Sequence, residues 1–293
     1  MSESANGPGP LIKVRNLHYT YSRGTPHEAV ALRGVDLTVE RGETVGLIGP
    51  TGSGKSTLLQ HLNGLLRPQS GQVRIDGHDT GDPRADLRTI RRRVGLVFQN
   101  PEDQLFERYA GDDVAFGPRN LGLSRSEIRE RVCWAMEAVG LDFEAFQDRL
   151  TLSLSEGERR RLALAGVLAL KPEVLVLDEP TAGLDPRGRK DLLAWLIRWR
   201  EEQEGTIVLA SHNMEDLAQL ANRLYVLVEG RAVLNGNPRK VFSRSEVLAG
   251  YGLETPLAVS VMHALRFRGL PVRADAITIA EAAAEIEALL NSR

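Results

Sequence analysis

The chain has 293 residues, of which 42% are hydrophobic and 26% are charged. These values exclude a disordered, collagen-like or coiled-coil chain, and the length suits one large domain or two modest ones. Lysine plus arginine number 37 and aspartate plus glutamate 39, a formal net charge of −2. Because no bulk positive charge attracts nucleic acid, we expect none as a partner.

No segment of the sequence predicts a membrane span. Residues 1–10 are rich in Ser, Gly and Pro, so we expect a disordered end and neither a signal peptide nor a transit sequence. The longest strongly apolar run, Leu162–Leu170, is too short to cross a bilayer. The single cysteine, Cys133, excludes an internal disulfide, and its apolar neighbours predict a buried thiol in a reducing cytosol.

The N-terminal part of the sequence predicts strands, because β-rich runs are separated there by Gly, Pro and Asp. The runs are Leu11–Tyr19, Val35–Val39, Thr44–Ile48, Gln72–Ile75 and Val94–Phe98. Two capping boxes, Ser124 with Glu127 and Ser155 with Glu158, then predict helices. We therefore expect a helical block over about residues 108–170.

Strands and helices alternate after this block. The predicted strands are Val174–Leu177, Thr206–Ala210 and Arg223–Val228, and helices begin at Pro186 and Met214. Such alternation predicts an α/β fold in which a parallel sheet is joined by helical crossovers.

The C-terminal residues 244–293 predict a helical extension. A helix over Pro256–Arg268 has Leu257, Val261 and Leu265 on one face, and Thr278–Leu290 follows with a third capping box, Thr278 with Glu281. A cap over the edge of the core and a surface for a partner explain this extension equally well.

A glycine-rich loop after the third predicted strand matches the phosphate-binding pattern G-x-x-x-x-G-K-[ST]. Its residues are Gly49, Pro50, Thr51, Gly52, Ser53, Gly54, Lys55 and Ser56, followed by Thr57. In such a loop the backbone N–H groups surround phosphate oxygens and the following helix adds its positive end. Lys55 would reach the β- and γ-phosphates, and the Ser56 hydroxyl would ligate Mg²⁺.

Two carboxylates end the strand that begins at Val174. Because side chains alternate along a strand, Asp178 and Glu179 can serve different places. Asp178 would hold the Mg²⁺ shell, and Glu179 would orient or deprotonate the attacking water. An acidic pair at a strand end is often only solvated, but here it accompanies the glycine-rich loop.

The run Leu154, Ser155, Glu156, Gly157 and Glu158 decides between classes of phosphate-loop protein. Here the sequence resembles the ATP-binding cassette (ABC) ATPases, whose signature is LSGGQ. The resemblance covers about Leu11 to Phe242 and extends to further motif residues, which are Tyr21, Gln99, Ala182 to Asp185, and His212. It implies an ABC cassette over residues 11–243, with a mixed sheet core, an antiparallel β part and an inserted helical subdomain.

The resemblance also implies roles and cofactors. ATP and Mg²⁺ are expected, with Ser56, Gln99 and Asp178 at the metal, and Glu179, His212 and Gln99 as the catalytic residues. Tyr21 would stack on adenine. Ser155 and Gly157 would close the nucleotide held by another chain, and Asp185 would lie across the dimer interface. No metal site beyond the nucleotide-bound Mg²⁺ is expected.

Two residues of the signature depart from the family pattern. Glu156 replaces a glycine and Glu158 replaces a glutamine, and both add negative charge near a phosphate. Ser155 and Gly157 are retained. We expect the site completed by this signature to be active but slower.

A narrower resemblance involves the segments Phe98–Phe106 and Asp113–Pro118, which look like those of energy-coupling factor (ECF) importer ATPases. Gly24–Pro26, Leu59–Leu65 and Gly183–Lys190 look most like the second of the two ATPase subunits. This likeness implies a peripheral protein on the cytoplasmic face of the cell membrane. Its implied partners are an integral scaffold protein, a small substrate-capture membrane protein and a second ATPase, with a heterodimer favoured over a homodimer.

Two alternatives stay open at this point. One is the ATPase of another ABC transporter type, and the other is a soluble ABC protein acting on ribosomes or DNA. The single phosphate loop and single signature disfavour the second, because such proteins usually carry paired cassettes or a long insertion. The cargo is not encoded in these motifs, so a vitamin and a transition-metal ion are equally open.

Overall fold

The computed structural model describes residues 9–291. Of the segment expected to be disordered, residues 1–8 lie outside the described residues. The strands, in chain order, are β1 Ile12–Tyr21, β2 Ala29–Val39, β3 Thr44–Ile48, β4 Ser70–Ile75, β5 His78–Asp79, β6 Val94–Val97, β7 Val174–Asp178, β8 Thr206–Ala210, β9 Arg223–Val228 and β10 Arg231–Gly236. The helices are α1 Lys55–Leu62, α2 Leu87–Arg93, α3 Ala110–Asn120, α4 Arg125–Ala138, α5 Phe143–Phe146, α6 Glu156–Leu168, α7 Pro186–Gln203, α8 Met214–Leu220, α9 Pro238–Phe242, α10 Ser245–Gly250, α11 Leu257–Phe267 and α12 Ile279–Asn291.

Within the described residues the strands form two sheets. A six-stranded sheet has the order β10-β9-β3-β8-β7-β6, in which all neighbours are parallel except β10. The strands β3, β7 and β8 are buried at every position, as expected for a parallel sheet covered on both faces. The predicted parallel sheet is confirmed.

The second sheet is antiparallel and has the order β2-β1-β4-β5. Its apolar side chains pack with the inner face of β3, with α1 and with parts of β6, β7 and β8 in one cluster. A second cluster joins the helices α3, α4 and α6 to the other face of the six-stranded sheet. The sheet that carries the glycine-rich loop is therefore fixed from both sides.

Some elements differ from the sequence predictions. β2 begins at Ala29, well before the predicted Val35. The sequence does not predict the first half of this strand, because that half is exposed and lacks the alternation that is typical of a strand. The sequence does not predict β10, because it is an edge strand whose residues are exposed or half-buried. Its turn of Glu229 and Gly230 has positive φ at both residues, so the Glu-Gly pair was a usable hairpin signal.

The capping boxes at Ser124 and Ser155 are confirmed by reciprocal hydrogen bonds. The box at Thr278 is also confirmed, since Glu281 N–H donates to the Thr278 hydroxyl at 3.3 Å. The thiol of Cys133 is half-buried and packs against the core, so the expected full burial is wrong.

The C-terminal extension packs on itself and on the cassette. α11 buries Ala258, Val259 and Met262. Of the predicted face, Leu265 packs on this cluster, whereas Leu257 is exposed. Val259 and Ile277 join the main core cluster, and the Arg239 guanidinium contacts the Glu281 carboxylate. Phe267, the last residue of α11, is 94% exposed, so a surface for a partner stays open beside the role of a cap.

A matched pair of glycines tests the irregular pairing of β1 with β4. Gly71 and Gly77 both have left-handed φ, +82° and +81°, but a Cβ at Gly71 would lie 2.1 Å from the Asn16 carbonyl oxygen, whereas Gly77 faces open space. We expect Gly77→Ala to cost about 1 kcal/mol of backbone strain. Gly71→Ala should cost at least about 3 kcal/mol, because the carbonyl cannot move without breaking the sheet. Equal unfolding midpoints for the two variants in denaturant titrations would contradict this assignment.

Candidate active site

The predicted site residues follow four neighbouring strands of the six-stranded sheet. The glycine-rich loop follows β3, Gln99 follows β6, Glu179 follows β7 and His212 follows β8. These strands are parallel neighbours, so their carboxyl ends meet at one edge. In open α/β sheets ligands bind at this edge.

The glycine-rich loop packs too closely for side chains at two of its glycines. A Cβ at Gly49 would lie 2.1 Å from the Leu227 carbonyl oxygen, and one at Gly54 would lie 2.6 Å from that of Ala31. Gly52 faces open space, with φ +79°. The loop therefore presents backbone at the start of α1, a form suited to surrounding an anion.

Lys55 is the first residue of α1 and is only 7% exposed. Its ammonium group donates to the carbonyl oxygens of Gly49 and Pro50, at 2.7 and 3.1 Å. Burial lowers the pKa of Lys55, while the carboxylates of Glu179 and Asp178 oppose that shift. The lysine is thus held among polar groups at the mouth of the loop.

Asp178 and Glu179 are both buried beside this lysine. Burial raises the pKa of Asp178, against a hydrogen bond from Ser56 and the charge of Lys55. Burial also raises the pKa of Glu179, against the backbone N–H of His212 and again Lys55. Ser56 and Asp178, which the sequence assigns to Mg²⁺, are therefore neighbours at this site.

The backbone of Glu179 has a left-handed conformation, with φ +50°. Its N–H donates to the Ala210 carbonyl at 2.9 Å, and its Oε2 accepts the His212 N–H at 3.2 Å. Its Oε1 is buried and has no hydrogen-bond partner, although His212 Nε2 lies 3.5 Å away. An orphaned carboxylate oxygen of this kind is suited to accept a proton from a bound water.

The imidazole of His212 is half-exposed. Desolvation first, and then the charge of Lys55, lower its pKa, against the opposing charge of Asp178. This shift favours the neutral form of the imidazole.

Tyr21 lies beside the helix that follows the glycine-rich loop. Its hydroxyl is 3.2 Å from that of Thr57, and its ring stacks edge-on against Tyr19 with centroids 4.9 Å apart. The ring is partly exposed, so one face is open for a planar base.

The remaining predicted residues, apart from Gln99, lie at the starts of α6 and α7. Ser155 caps α6, Asp185 caps α7, and both are exposed, as is Gln99 at the end of β6. A Cβ at Gly157 would be 3.5 Å from Leu184, so the signature (residues 154–158) adjoins the segment 182–185 of the same chain. The structure brings these two segments together.

Comparison with known proteins gives the class of site. The model of the family described as ABC transporter matches residues 32–182. The chain belongs to the ABC transporter family. The resemblance inferred from the sequence motifs is therefore confirmed, and the alternating sheet with its helical block is an ABC cassette.

Full-length relatives narrow this assignment. The energy-coupling factor transporter ATP-binding protein EcfA2 of Symbiobacterium thermophilum is 50% identical over 96% of this chain and 97% of its own. EcfA2 of Clostridium acetobutylicum is 48% identical over 96% and 98%. By this likeness the cassette groups with the EcfA2 proteins, as the narrower motifs predict.

Solved structures agree with the fold. The cassette cbiO1 of Clostridium perfringens, described as part of the ABC transporter complex cbiONQ, has a TM-score of 0.70 and 40% identity over 82% of this chain and 94% of its own. The dimeric cassette MJ0796, bound to ADP and Pi in a post-hydrolysis state, has a TM-score of 0.72 and 30% identity, over 78% and 98%.

Each unusual carboxylate of the signature has a cation partner in this cassette. Glu158 completes the capping box and pairs with Arg149 at 3.0 Å. Glu156 lies 3.5 Å from Arg160. The added negative charge is therefore partly offset within the chain. Whether this site is slower stays a prediction.

A buried network that the sequence analysis missed joins the loops after β7 and β8. Asp216, with 0% exposure, accepts the Thr181 hydroxyl at 2.6 Å and Arg189 Nε at 2.8 Å. Arg189 also donates to the side-chain oxygen of Asn213, the N-cap of α8, at 2.6 Å. In the sequence, the one local indication of this network is Thr181, a polar residue that follows Glu179 by two positions on the same loop.

Breaking this buried ion pair should destabilise the cassette strongly. Arg189→Met leaves the Asp216 carboxylate buried without its cation, so we expect a loss of about 3 kcal/mol or more in the free energy of unfolding. The exposed pair of Arg129 and Glu144 serves as the control, and Arg129→Met should cost less than about 1 kcal/mol. Denaturant unfolding of both variants measures the difference. Adding Asp216→Asn to Arg189→Met should restore part of the loss, and no restoration would contradict an electrostatic cause.

Proposed function

We propose that this cassette is the ATP-hydrolysing subunit of an ECF-type membrane importer of vitamins or transition-metal ions. The observation that carries the proposal is the convergence of the glycine-rich loop, Asp178, Glu179 and His212 at one edge of the parallel sheet. The full-length likeness to EcfA2 proteins supports the ECF assignment.

The phosphate groups of ATP would bind the backbone N–H groups of the loop and the ammonium of Lys55. Ser56, Asp178 and Gln99 would hold Mg²⁺, which supplies neutralising charge for the phosphate oxygens when bound. Two observations support the fit of the phosphate groups to this loop. The Ser53 hydroxyl is buried without a hydrogen-bond partner, and Gly52 faces open space. Tyr21 would cover the adenine.

Glu179 would act on the attacking water. Its unpaired Oε1 accepts a proton while the water oxygen bonds to the γ-phosphorus and the bond to the β-phosphate oxygen breaks. The left-handed backbone and the His212 N–H hold this carboxylate in place. The neutral imidazole of His212 would contact the γ-phosphate as a hydrogen-bond donor.

Two chains would complete each site. Ser155 and Gly157 would close the nucleotide bound by a partner, and Asp185 would lie at the interface between them. The exposure of Ser155 and Asp185 leaves both available for this contact. A second ATPase subunit is the favoured partner.

The membrane scaffold would bind beside Gln99. The two ECF-like segments meet there, because the Asp113 carboxylate accepts the N–H groups of Phe106 and Glu107, both at 2.9 Å. The Phe106 ring is 63% exposed and packs edge-on against Phe116, with centroids 4.6 Å apart. This exposed aromatic pair suits the apolar face of a cytoplasmic helix. Neighbouring Leu105 instead packs against the core.

No helix among residues 9–291 is long and apolar enough to cross a bilayer. From the likeness to EcfA2 proteins we infer that the cassette reaches the cytoplasmic membrane face by binding a membrane partner. A small membrane protein of the same complex would capture the cargo.

Copurification tests the proposal directly. The tagged chain is expressed in its native cells, the membranes are solubilised gently, and the bound proteins are identified by mass spectrometry. We expect a multi-spanning scaffold, a second cassette and one or more small membrane proteins. Recovery of ribosomal or DNA-bound proteins without a membrane partner would overturn the transport assignment.

Replacing the proposed base should trap a closed dimer. Glu179→Gln keeps the side-chain size but removes the proton acceptor, so ATP with Mg²⁺ should bind without turnover. Size-exclusion chromatography, with the second ATPase present, should show a dimer with ATP and a monomer without it. A Lys55→Ala control should not dimerise, and a Glu179→Gln protein that stays monomeric would contradict the assignment.

We expect the rate of ATP hydrolysis to fall at acidic pH as Glu179 becomes protonated, which gives the pH profile an acidic limb. Its carboxylate must be ionised to accept a proton, and burial raises its pKa above the ordinary value of 4.5. The turnover number should therefore fall as the pH drops, with a midpoint above pH 4.5, measured in steady-state assays at saturating ATP. His212→Gln should lower the rate without removing this limb. Loss of the limb in that variant would assign it to the histidine.

A further inference from the structure

The side chain of Arg160 joins two segments that the proposed function assigns to different nucleotide sites. Arg160 lies on α6, directly after the signature, which would face the partner's nucleotide. Its Nη1 donates to the backbone carbonyl oxygen of Glu179 at 2.8 Å. Glu179 would act on the nucleotide of its own chain. The residue is only 7% exposed, so this bond is shielded from water.

The backbone of Glu179 needs such support. A left-handed conformation at a residue other than glycine is unfavourable and persists only where neighbours hold it. Its carbonyl oxygen accepts two bonds, one from Ala182 N–H at 3.2 Å and one from Arg160. The arginine bond is the stronger, because its donor is charged and buried.

Glu156 fixes the other end of this link. Its carboxylate is the counter-charge of Arg160, at 3.5 Å, and its Oε1 occupies the space where a Cβ at Gly183 would lie, 2.3 Å away. Gly183 has φ +70° and belongs to the segment 182–185. The signature, this segment and the carbonyl of Glu179 therefore meet at one guanidinium.

We propose that Arg160 is a positioning residue that couples the signature to the catalytic glutamate of the same chain. A displacement of the start of α6 by the partner's nucleotide is carried by the guanidinium to the carbonyl of Glu179, and from there to its carboxylate. The coupling rests on the proposed function, because it needs the signature to serve a second site. Glu156 holds the guanidinium but is not required for its bond to the carbonyl.

The test compares Arg160→Met with Arg160→Lys in the full-length chain, purified with its partners. Methionine fills the same space without a donor, and the fold should be kept because Glu156, the charge left behind, is more than half exposed. We expect the turnover number to fall about tenfold, since the carboxylate is no longer held in place, with the KM for ATP within about twofold. Lysine keeps a charged donor and should restore part of the rate. Arg129→Gln, which removes a surface ion pair in the same helical block, should leave the rate unchanged.

A second readout separates positioning from a structural effect. In the Glu179→Gln background, Arg160→Met should still give the ATP-dependent dimer. If the unmodified protein hydrolyses ATP and the Arg160→Met variant has the same turnover number, the inference is overturned. Loss of the dimer together with the loss of rate would also overturn it. A parent without ATPase activity would overturn the proposed function itself, and the inference with it.

Discussion

Parallel pairing of β3, β6, β7 and β8 is the constraint on which the site depends. Each strand supplies one chemical group at its carboxyl end, and the register between neighbours sets how far apart those groups lie. The strands are buried on both faces, so a slip of one residue would expose apolar side chains to water as well as misalign the site. The same backbone hydrogen bonds therefore fix both the burial of the apolar side chains and the spacing of the groups in the site.

Burial at this edge sets the electrostatics. Lys55, Asp178 and Glu179 lie together with little access to water, and burial raises the pKa of both carboxylates while the charge of Lys55 lowers it. A metal ion could balance the negative charge of the two carboxylates. The backbone N–H groups of the loop and the N-terminus of α1 meanwhile favour an anion. This arrangement of charges supports the proposed binding of ATP with Mg²⁺.

The sequence predicted most of the site, because its parts are local. The glycine-rich loop, Asp178 with Glu179, and the capping box at Ser155 each lie within a few consecutive residues. What it could not give is contact between distant segments. The bond from Arg160 to Glu179 and the burial of Asp216 depend on how α6, α7 and α8 pack, and no local pattern reports that packing. The sequence does not predict the edge strand β10 for another reason. A half-exposed strand has only a weak alternation of apolar and polar residues.

The strand order of the six-stranded sheet has a consequence for how the chain is assembled. β3, which carries the glycine-rich loop, pairs with β8 and β9, and these come from the last third of the sequence. During synthesis the antiparallel pairing of β1 with β2 and β4 uses segments that emerge early. β3 has no neighbour in its own sheet until the helical block and everything up to β8 have left the ribosome. The nucleotide site is thus completed late in folding, and a truncated chain leaves an apolar strand with unpaired edges, the kind of surface that chaperones bind and that otherwise aggregates.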